Sequence, residues 1–185
     1  MIVYHGSSKN GLKNLEYSEE LSRFGGEANL LHGAGIYLTT SSSEAMAYAT
    51  ASLYKIKVTG YVFDATDQAV LQDFVSTLFK SWGVNQKLIK NNMIQKLIQT
   101  TTKGESSGVG FGTGLFTVLS NEISLYSEIL QGKFNDDIDA LDNAIKSAFH
   151  YSLIKVKHKG NNTDWVVCLN HDGNGLEIIE EFKIS

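Results

Sequence analysis

The hydrophobic period of the sequence changes twice, and these changes limit the folds open to the chain. Short apolar runs typical of strands occupy residues 2–64, helical spacing continues over 66–150, and strand-like runs return over 152–183. A period near two indicates a strand, whereas a period of about 3.6 indicates a helix. We therefore predict an α+β fold, a single domain over residues 1–185 in which a helical insert separates two halves of one β-sheet.

The chain begins with a short apolar run, Ile2–Tyr4, which predicts a strand that ends at His5 because glycine and serine follow. A second strand is predicted over Gly35–Leu38. The segment Ser41–Glu44 matches a capping box, in which a serine oxygen and a glutamate side chain satisfy free amides at a helix start. We expect the helix that follows to run over Ser42–Tyr54.

Apolar residues then alternate over 56–63, and the alternation breaks at Gly60, which predicts a strand with a bulge. The insert carries helical patterns over residues 70–79, 88–98, 123–130 and 138–148. A glycine-rich loop over 103–114 lies in its middle. Further strands are predicted over 153–156, 165–169 and 176–182.

Charge and composition disfavour several classes of partner. The net charge of -4 and the pI near 5.7 give no general attraction to a polyanion, so nucleic acid is a less favoured partner than protein. No window approaches the ~20 apolar residues of a membrane span, and the first residues lack a secretory signal, so we expect a cytoplasmic protein. Cys168 lies in an apolar run and is expected to be a buried thiol.

The sequence lacks the common motifs for phosphate and metal binding. The glycine-rich loop has neither the lysine nor the following hydroxyl residue of a phosphate-binding loop, and it does not follow a strand as a dinucleotide fingerprint would. It is interpreted as a flexible connection. The histidines form no pair at i and i+4 on one helix, so no metal site is expected.

Two segments carry a more specific pattern, YHGSS over residues 4–8 and GAGIYLTTSSSEAMAYA over 33–49. They resemble the diphtheria-toxin and poly(ADP-ribose) polymerase type of ADP-ribosyltransferase, the His-Tyr-Glu superfamily. Those enzymes have a His-Gly-Ser/Thr at one strand end, a Gly-x-Gly-Ile-Tyr on the next strand, and a second tyrosine at the spacing seen here between Tyr37 and Tyr48. The resemblance implies an ADP-ribosyltransferase-like split mixed β-sheet, and it does not extend to the insert.

The resemblance also implies that NAD+ is a co-substrate. His5 would bond the adenosine ribose, with Ser7 assisting, because a histidine at a strand end can bond a ribose hydroxyl. The backbone amide and carbonyl of Gly6 would clasp the nicotinamide carboxamide, since no side chain stands in the way. Tyr37 and Tyr48 would face one another across the nicotinamide ring, although one isolated tyrosine in such a pattern is more often a half-buried core residue.

A third group must supply negative charge, since loss of nicotinamide leaves an oxocarbenium-like ribosyl cation. The family has a glutamate at the start of a late strand, and TDWVVCLN over 163–170 occupies that place, so the resemblance assigns this role to Asp164. Aspartate is one methylene shorter, and a solvent-facing strand entry is the alternative for this residue. Glu177 and Glu180 are further candidates. Ala45 stands where the polymerases have a serine that bonds the carboxamide.

Arg23, the only arginine in the chain, lies in SRFGG over residues 22–26. This stretch is similar to one in small phage anti-CRISPR ADP-ribosyltransferases. The planar fork of donors in arginine would suit a pyrophosphate, and a solvated loop residue is the alternative.

The sequence thus predicts a mono-ADP-ribosyltransferase that cleaves the nicotinamide–ribose bond of NAD+ and modifies a protein, as a phage or bacterial effector acting on a host or defence protein would. The loop over 157–163 is expected to contact the acceptor. Its candidate donors are His158, Asn161 and Asn162. Two other classes stay open: an NAD+ hydrolase with water as acceptor, and an inactive module that binds ADP-ribose or a partner protein.

Overall fold

The computed structural model describes residues 1–18, 35–85, 87, 95–96, 115–135, 137–158 and 163–184. Within these residues the strands are β1 (Ile2–Ser7), β2 (Ile36–Thr39), β3 (Ser52–Val58), β4 (Val62–Asp64), β5 (Leu153–His158), β6 (Thr163–Cys168) and β7 (Leu176–Lys183). The helices are α1 (Ser42–Met46), α2 (Gln68–Ser81), α3 (Leu115–Ser124), α4 (Ser127–Leu130) and α5 (Ile138–Ala148). The predicted α+β class is confirmed.

The seven described strands form one mixed sheet in the order β4-β5-β6-β2-β1-β3-β7. The pairing of β4 with β5 is parallel and the other pairings are antiparallel. A parallel pair requires a crossover connection, and the insert between β4 and β5 supplies it. Strands from before and after the insert are therefore interleaved, because β5 and β6 lie between β4 and β2.

Both faces of the sheet carry a hydrophobic core. On one face, Phe63 and Val156 pack with the buried apolar side chains of α2, α3 and α5. On the other face, Val3 and Val166 pack with Leu15 of the N-terminal loop. We call these the insert face and the loop face. Because side chains alternate along each strand, successive residues within β2, and likewise within β6, project to opposite faces.

The two long helical predictions over residues 70–79 and 138–148 are confirmed by α2 and α5. Asp67 caps α2 by accepting from the Ala69 amide at 2.8 Å, and Asp137 caps α5 by accepting from the Ala140 amide at 3.0 Å. A capping side chain satisfies one of the backbone amides that a helix start leaves without a partner. The apolar stripe of α2 is buried, as its period predicts.

The predicted helix over Ser42–Tyr54 is wrong after its first turn. Ser41 caps α1 as expected, accepting from the Glu44 amide at 3.2 Å, but α1 ends at Met46 and β3 begins at Ser52. Tyr54 is fully buried, and β3 is paired with β1 on one side and β7 on the other. Pairing on both edges outweighs the local helical preference of this segment.

The predicted bulged strand over residues 56–63 is also wrong. β3 ends at Val58, and β4 begins at Val62 and lies at the far edge of the sheet. Gly60 belongs to the connection between them. A register shift does occur within β3, between Lys55 and Ile56, where it pairs with β7.

Several other boundaries differ from the predictions. The pattern over 123–130 contains the end of α3 and all of α4, so it is two helices. The last three predicted strands are confirmed as β5, β6 and β7. The predicted helix over 88–98 lies mostly outside the described residues, and the glycine-rich loop lies wholly outside them.

Candidate functional site

The central strands β1 and β2 are neighbours, yet their ladder consists of one residue pair, Tyr4 with Thr39. Continuing that register would place Gly6 opposite Tyr37. Instead, His5 Nδ1 donates to the Tyr37 carbonyl oxygen at 2.9 Å. We call this interrupted stretch, residues 5–7 of β1 and 36–38 of β2, the seam.

The backbone of Gly6 faces the seam. The Val58 amide donates to the Met1 carbonyl and the Ala51 amide to the Ser7 carbonyl, both at 2.9 Å, so the odd-numbered residues of β1 bond to the β3 side. In an antiparallel ladder the backbone groups of successive residues point to opposite sides. The amide and carbonyl of Gly6 are therefore directed toward β2, where the ladder is not continued.

The other contact of Gly6 is with the end of α1, on the insert face. A Cβ added to Gly6 would lie 2.2 Å from the Ala45 carbonyl oxygen and 2.7 Å from the Ala49 amide nitrogen. Ala45 itself is buried, with 2 % of its surface exposed. Glycine is thus required for α1 to pack this closely on β1, a reason that the sequence did not reveal.

His5 lies within β1, which continues to Ser7, rather than at the strand end that was predicted. Its bond to a carbonyl assigns the proton to Nδ1, which leaves Nε2 as an acceptor in the neutral ring. Burial lowers the pKa of His5 and outweighs the opposing effect of its bond to the Tyr37 carbonyl. The imidazole is therefore neutral at pH 7.

This lowered pKa predicts a loss of stability on mild acidification. The unfolded chain takes up a proton near the ordinary histidine pKa of about 6.5, whereas the folded chain takes it up at lower pH. Stability should therefore fall as the pH drops below about 6.5. Urea unfolding at pH 7.5 and 5.5 should show a larger loss of stability for the wild type than for His5→Asn, whose amide nitrogen takes the place of Nδ1 and can donate to the Tyr37 carbonyl. Equal losses would contradict this assignment.

Aromatic side chains border the seam on the insert face. The Tyr37 ring is half-buried and lies 6.0 Å from the Trp165 ring, edge-on at 88°. Tyr48 lies in the turn after α1, with its amide donating to the Ala45 carbonyl at 3.1 Å, and 64 % of its surface is exposed. The two predicted tyrosines thus come from β2 and from the turn that contacts Gly6.

Asp164 lies near the start of β6, as predicted, and its side chain is held by two lysines. Lys157 Nζ is 2.6 Å from Oδ1 and Lys155 Nζ is 3.2 Å from Oδ2. By strand alternation Asp164 projects to the loop face, whereas its neighbour Trp165 packs on the insert face. The carboxylate is fixed in orientation, with 16 % of its side chain exposed.

Lys155 joins Asp164 to a second carboxylate, that of Asp64 at the end of β4, at 2.9 Å. Burial disfavours the charged ammonium, but hydrogen bonds to Asp64 and Asp164 outweigh it and raise the pKa of Lys155. Burial likewise disfavours the ionised Asp64, but bonds from Thr66 and Lys155 outweigh it and lower its pKa. These shifts keep Lys155 and Asp64 charged at neutral pH.

Glu44, which the sequence predicts only as half of a capping box, joins α1 to β2 and β6. Its Oε2 accepts from Thr39 Oγ1 at 2.6 Å and from Thr163 Oγ1 at 2.8 Å, and its Oε1 accepts from Trp165 Nε1 at 2.9 Å. The Ser41 amide, which a capping box would pair with Glu44, instead donates to Thr39 Oγ1. No local signal could reveal this, since two of the donors lie on β6.

The remaining candidates are placed less centrally. Ser7 Oγ accepts from the Lys9 amide at 3.0 Å. Glu177 and Glu180 lie on the edge strand β7, where they pair with Lys57 and Lys55 rather than with any group of the seam. His158 ends β5. Arg23, Asn161 and Asn162 lie outside the described residues.

The described residues contain no group of three or more histidine, cysteine, aspartate and glutamate side chains arranged to hold a metal ion. None of the described helices combines the length and apolar character that crossing a bilayer requires. The predicted buried thiol, Cys168, is fully buried, and burial raises its pKa.

No family model matches the chain, and no curated protein matches it in sequence. Solved structures that resemble it include an anti-CRISPR protein, at 13 % identity and a TM-score of 0.43, covering 97 % of this chain and 95 % of that one. They also include a chain of the M. tuberculosis MbcT–MbcA toxin–antitoxin complex, at 17 % identity and a TM-score of 0.40, covering 100 % and 82 %. Likeness at this level assigns neither a family nor a function to this chain.

Proposed function

We propose that the protein is a mono-ADP-ribosyltransferase that binds NAD+ at the seam. The observation that carries this proposal is the interruption of the β1–β2 ladder at Gly6, whose amide and carbonyl face the gap beside Tyr37. The Gly6 amide could donate to the carbonyl oxygen of a carboxamide, and the Gly6 carbonyl could accept from the NH2 group of the same carboxamide. Tyr37 and Tyr48 then supply apolar surface for the attached aromatic ring.

His5 supports the other end of the dinucleotide. Its Nε2 is the acceptor nitrogen, because Nδ1 donates to Tyr37, and a ribose hydroxyl is a suitable donor to it. In this arrangement the insert-face residues Gly6, Tyr37 and Tyr48 hold nicotinamide, while His5 approaches from the loop face. The gap between β1 and β2 would let one ligand contact residues on both faces of the sheet.

The chemistry breaks the bond between the ribose C1′ and the nicotinamide nitrogen. The bonding electron pair leaves with nicotinamide, which neutralises its pyridinium charge, and a positive charge develops on the ribose. We assign the stabilising carboxylate to Asp164, whose side chain Lys155 and Lys157 hold in a fixed orientation. Asp164 projects to the loop face, as His5 does, so this role requires the ribose to pass through the gap to that face. The acceptor then donates an electron pair to C1′ and loses its proton to water.

A protein is the favoured acceptor. The net charge of -4 gives no general attraction to nucleic acid, and positioning of the acceptor against C1′ is expected to supply a large part of the rate. The proposed contact region is the predicted acceptor segment before Asp164, with candidate donors His158, Asn161 and Asn162; its two ends belong to strands, since β5 ends at His158 and β6 begins at Thr163.

Incubation with NAD+ labelled in its adenosine part, with and without a bacterial lysate, tests this proposal. A transferase should place label on macromolecules in proportion to nicotinamide released. A hydrolase would release nicotinamide and free ADP-ribose in equal amounts with no labelled protein. Absence of nicotinamide release in both conditions would contradict the enzymatic proposal and favour a binding module.

A further inference from the structure

Glu44 connects three elements of the candidate site through one carboxylate. It lies on α1, and among the described residues its donors include Thr39 at the end of β2 and Thr163 and Trp165 on β6. An ionised carboxylate has about four acceptor positions, and bonds to it are among the stronger hydrogen bonds in proteins. These contacts therefore fix the start of α1 against β2 and β6.

The groups fixed in this way are those that border the proposed nicotinamide pocket. The bond to Trp165 Nε1 orients the indole, whose ring lies edge-on against Tyr37 at 6.0 Å. The other end of α1 contacts Gly6 and leads into Tyr48. Because α1 has only five residues, movement at its start would be transmitted to Tyr48.

From these contacts we propose that Glu44 is a positioning residue for NAD+, which sets the separation of Tyr37 and Tyr48 rather than contacting the reacting atoms. The inference rests on the proposed function. Both carboxylate oxygens of Glu44 already accept protein hydrogen bonds, so we assign the positioning role to those bonds. A side chain that replaces Glu44 must then preserve those bonds, but it need not carry a negative charge.

This distinction can be tested because glutamine keeps the shape and most of the bonds of Glu44. Its amide oxygen can accept from Trp165 Nε1, and its amine can donate to the hydroxyls of Thr39 and Thr163, which can rotate. Alanine removes the bonds to Thr39, Thr163 and Trp165 together. Trp165→Phe removes one donor and keeps an aromatic ring beside Tyr37, so it tests the same link from the other side.

Nicotinamide release should be measured as kcat and KM for each variant. Glu44→Ala should raise the KM for NAD+ about tenfold with a kcat loss within about threefold, and Trp165→Phe should raise KM by a smaller factor. Glu44→Gln should restore KM to within about threefold of wild type. Glu128→Ala, an exposed acid on α4, is the matched control and should leave both constants unchanged.

A spectroscopic readout separates positioning from catalysis. The chain has two tryptophans, so its NMR spectrum contains two indole N–H signals, and the signal lost in Trp165→Phe identifies Trp165. In Glu44→Ala the Trp165 signal should shift and exchange faster with water, while that of Trp82 should stay constant. The Trp82 signal also reports whether the variant is folded.

The outcomes distinguish this inference from the proposed function. A kcat loss in Glu44→Gln as large as in Glu44→Ala, with an unchanged Trp165 signal in both, would overturn the positioning role in favour of a catalytic charge. Wild-type kinetics in Glu44→Ala would overturn it outright. A wild-type protein that releases no nicotinamide would instead refute the proposed function, and the inference would fail with it.

Discussion

Asp164→Asn is expected to lower kcat for ADP-ribose transfer by about 10²- to 10³-fold, the range seen when one electrostatic stabiliser of a transition state is removed. The Kd for NAD+ should change by no more than about threefold, since the carboxylate acts mainly on the charge that develops as nicotinamide leaves. Single-turnover release of nicotinamide, with calorimetry on the same samples, separates the two quantities.

The control for this prediction is Asp64→Asn. Asp64 shares Lys155 with Asp164, at 2.9 Å and 3.2 Å, but it lies on the edge strand β4. If kcat falls only in Asp164→Asn, the Asp164 carboxylate itself is responsible for the effect. If kcat falls equally in both variants, the shared network around Lys155 is responsible. Full activity in Asp164→Asn would remove Asp164 from the mechanism and leave the carboxylate of Glu44 as the acid to examine.

Gly6→Ala is expected to disrupt both the fold and the site. Its Cβ would lie 2.2 Å from the Ala45 carbonyl oxygen, a backbone atom that can move only if α1 moves. Overpacking of this severity costs about 3 kcal/mol in the free energy of unfolding, which lowers the Tm by about 6 to 12 °C in a chain of this size. Displacement of α1 should also weaken NAD+ binding, because Tyr48 follows that helix.

Thermal and urea unfolding of Gly6→Ala check this, with Gly83→Ala as the control. Gly83 has φ +67, so alanine there is strained, but the nearest neighbour of an added Cβ is Lys133 Nζ at 3.6 Å. Its cost should be about 1 to 2 kcal/mol, from the backbone conformation alone. A loss in Gly6→Ala no greater than in Gly83→Ala would show that α1 does not require the close approach at β1.

The sequence predicted the first strand and the end of the second, on which the motifs with His5 and Tyr37 lie, because each motif is short and local. His5, Gly6 and Tyr37 do lie at one seam, and Asp164 is the second residue of β6, the strand that pairs with β2. The length of α1 was not predictable in the same way. Leu53, Tyr54 and Ile56 give no local stop to a helix, and their strand character comes from pairing with β1 and β7.

The parts of the site that escaped prediction depend on contacts between distant segments. Glu44 meets donors 119 and 121 residues away, and neither Thr163 nor Trp165 has a sequence feature that indicates an acidic partner. The lysines that hold Asp164 lie on β5, opposite or diagonal to it in the antiparallel register. Pairing register, rather than local composition, fixed these neighbours.

The most direct test of the central proposal is calorimetric titration of NAD+ into the wild-type protein and into Tyr37→Ala and Tyr61→Ala. Tyr61 is 83 % exposed in the connection between β3 and β4 and serves as the matched tyrosine control. The proposal expects one-site binding to the wild type, about tenfold weaker binding to Tyr37→Ala, which is a loss of about 1.4 kcal/mol in binding free energy, and unchanged binding to Tyr61→Ala. Wild-type protein that binds no NAD+, or a Tyr37→Ala variant that binds it as tightly as the wild type, would contradict it.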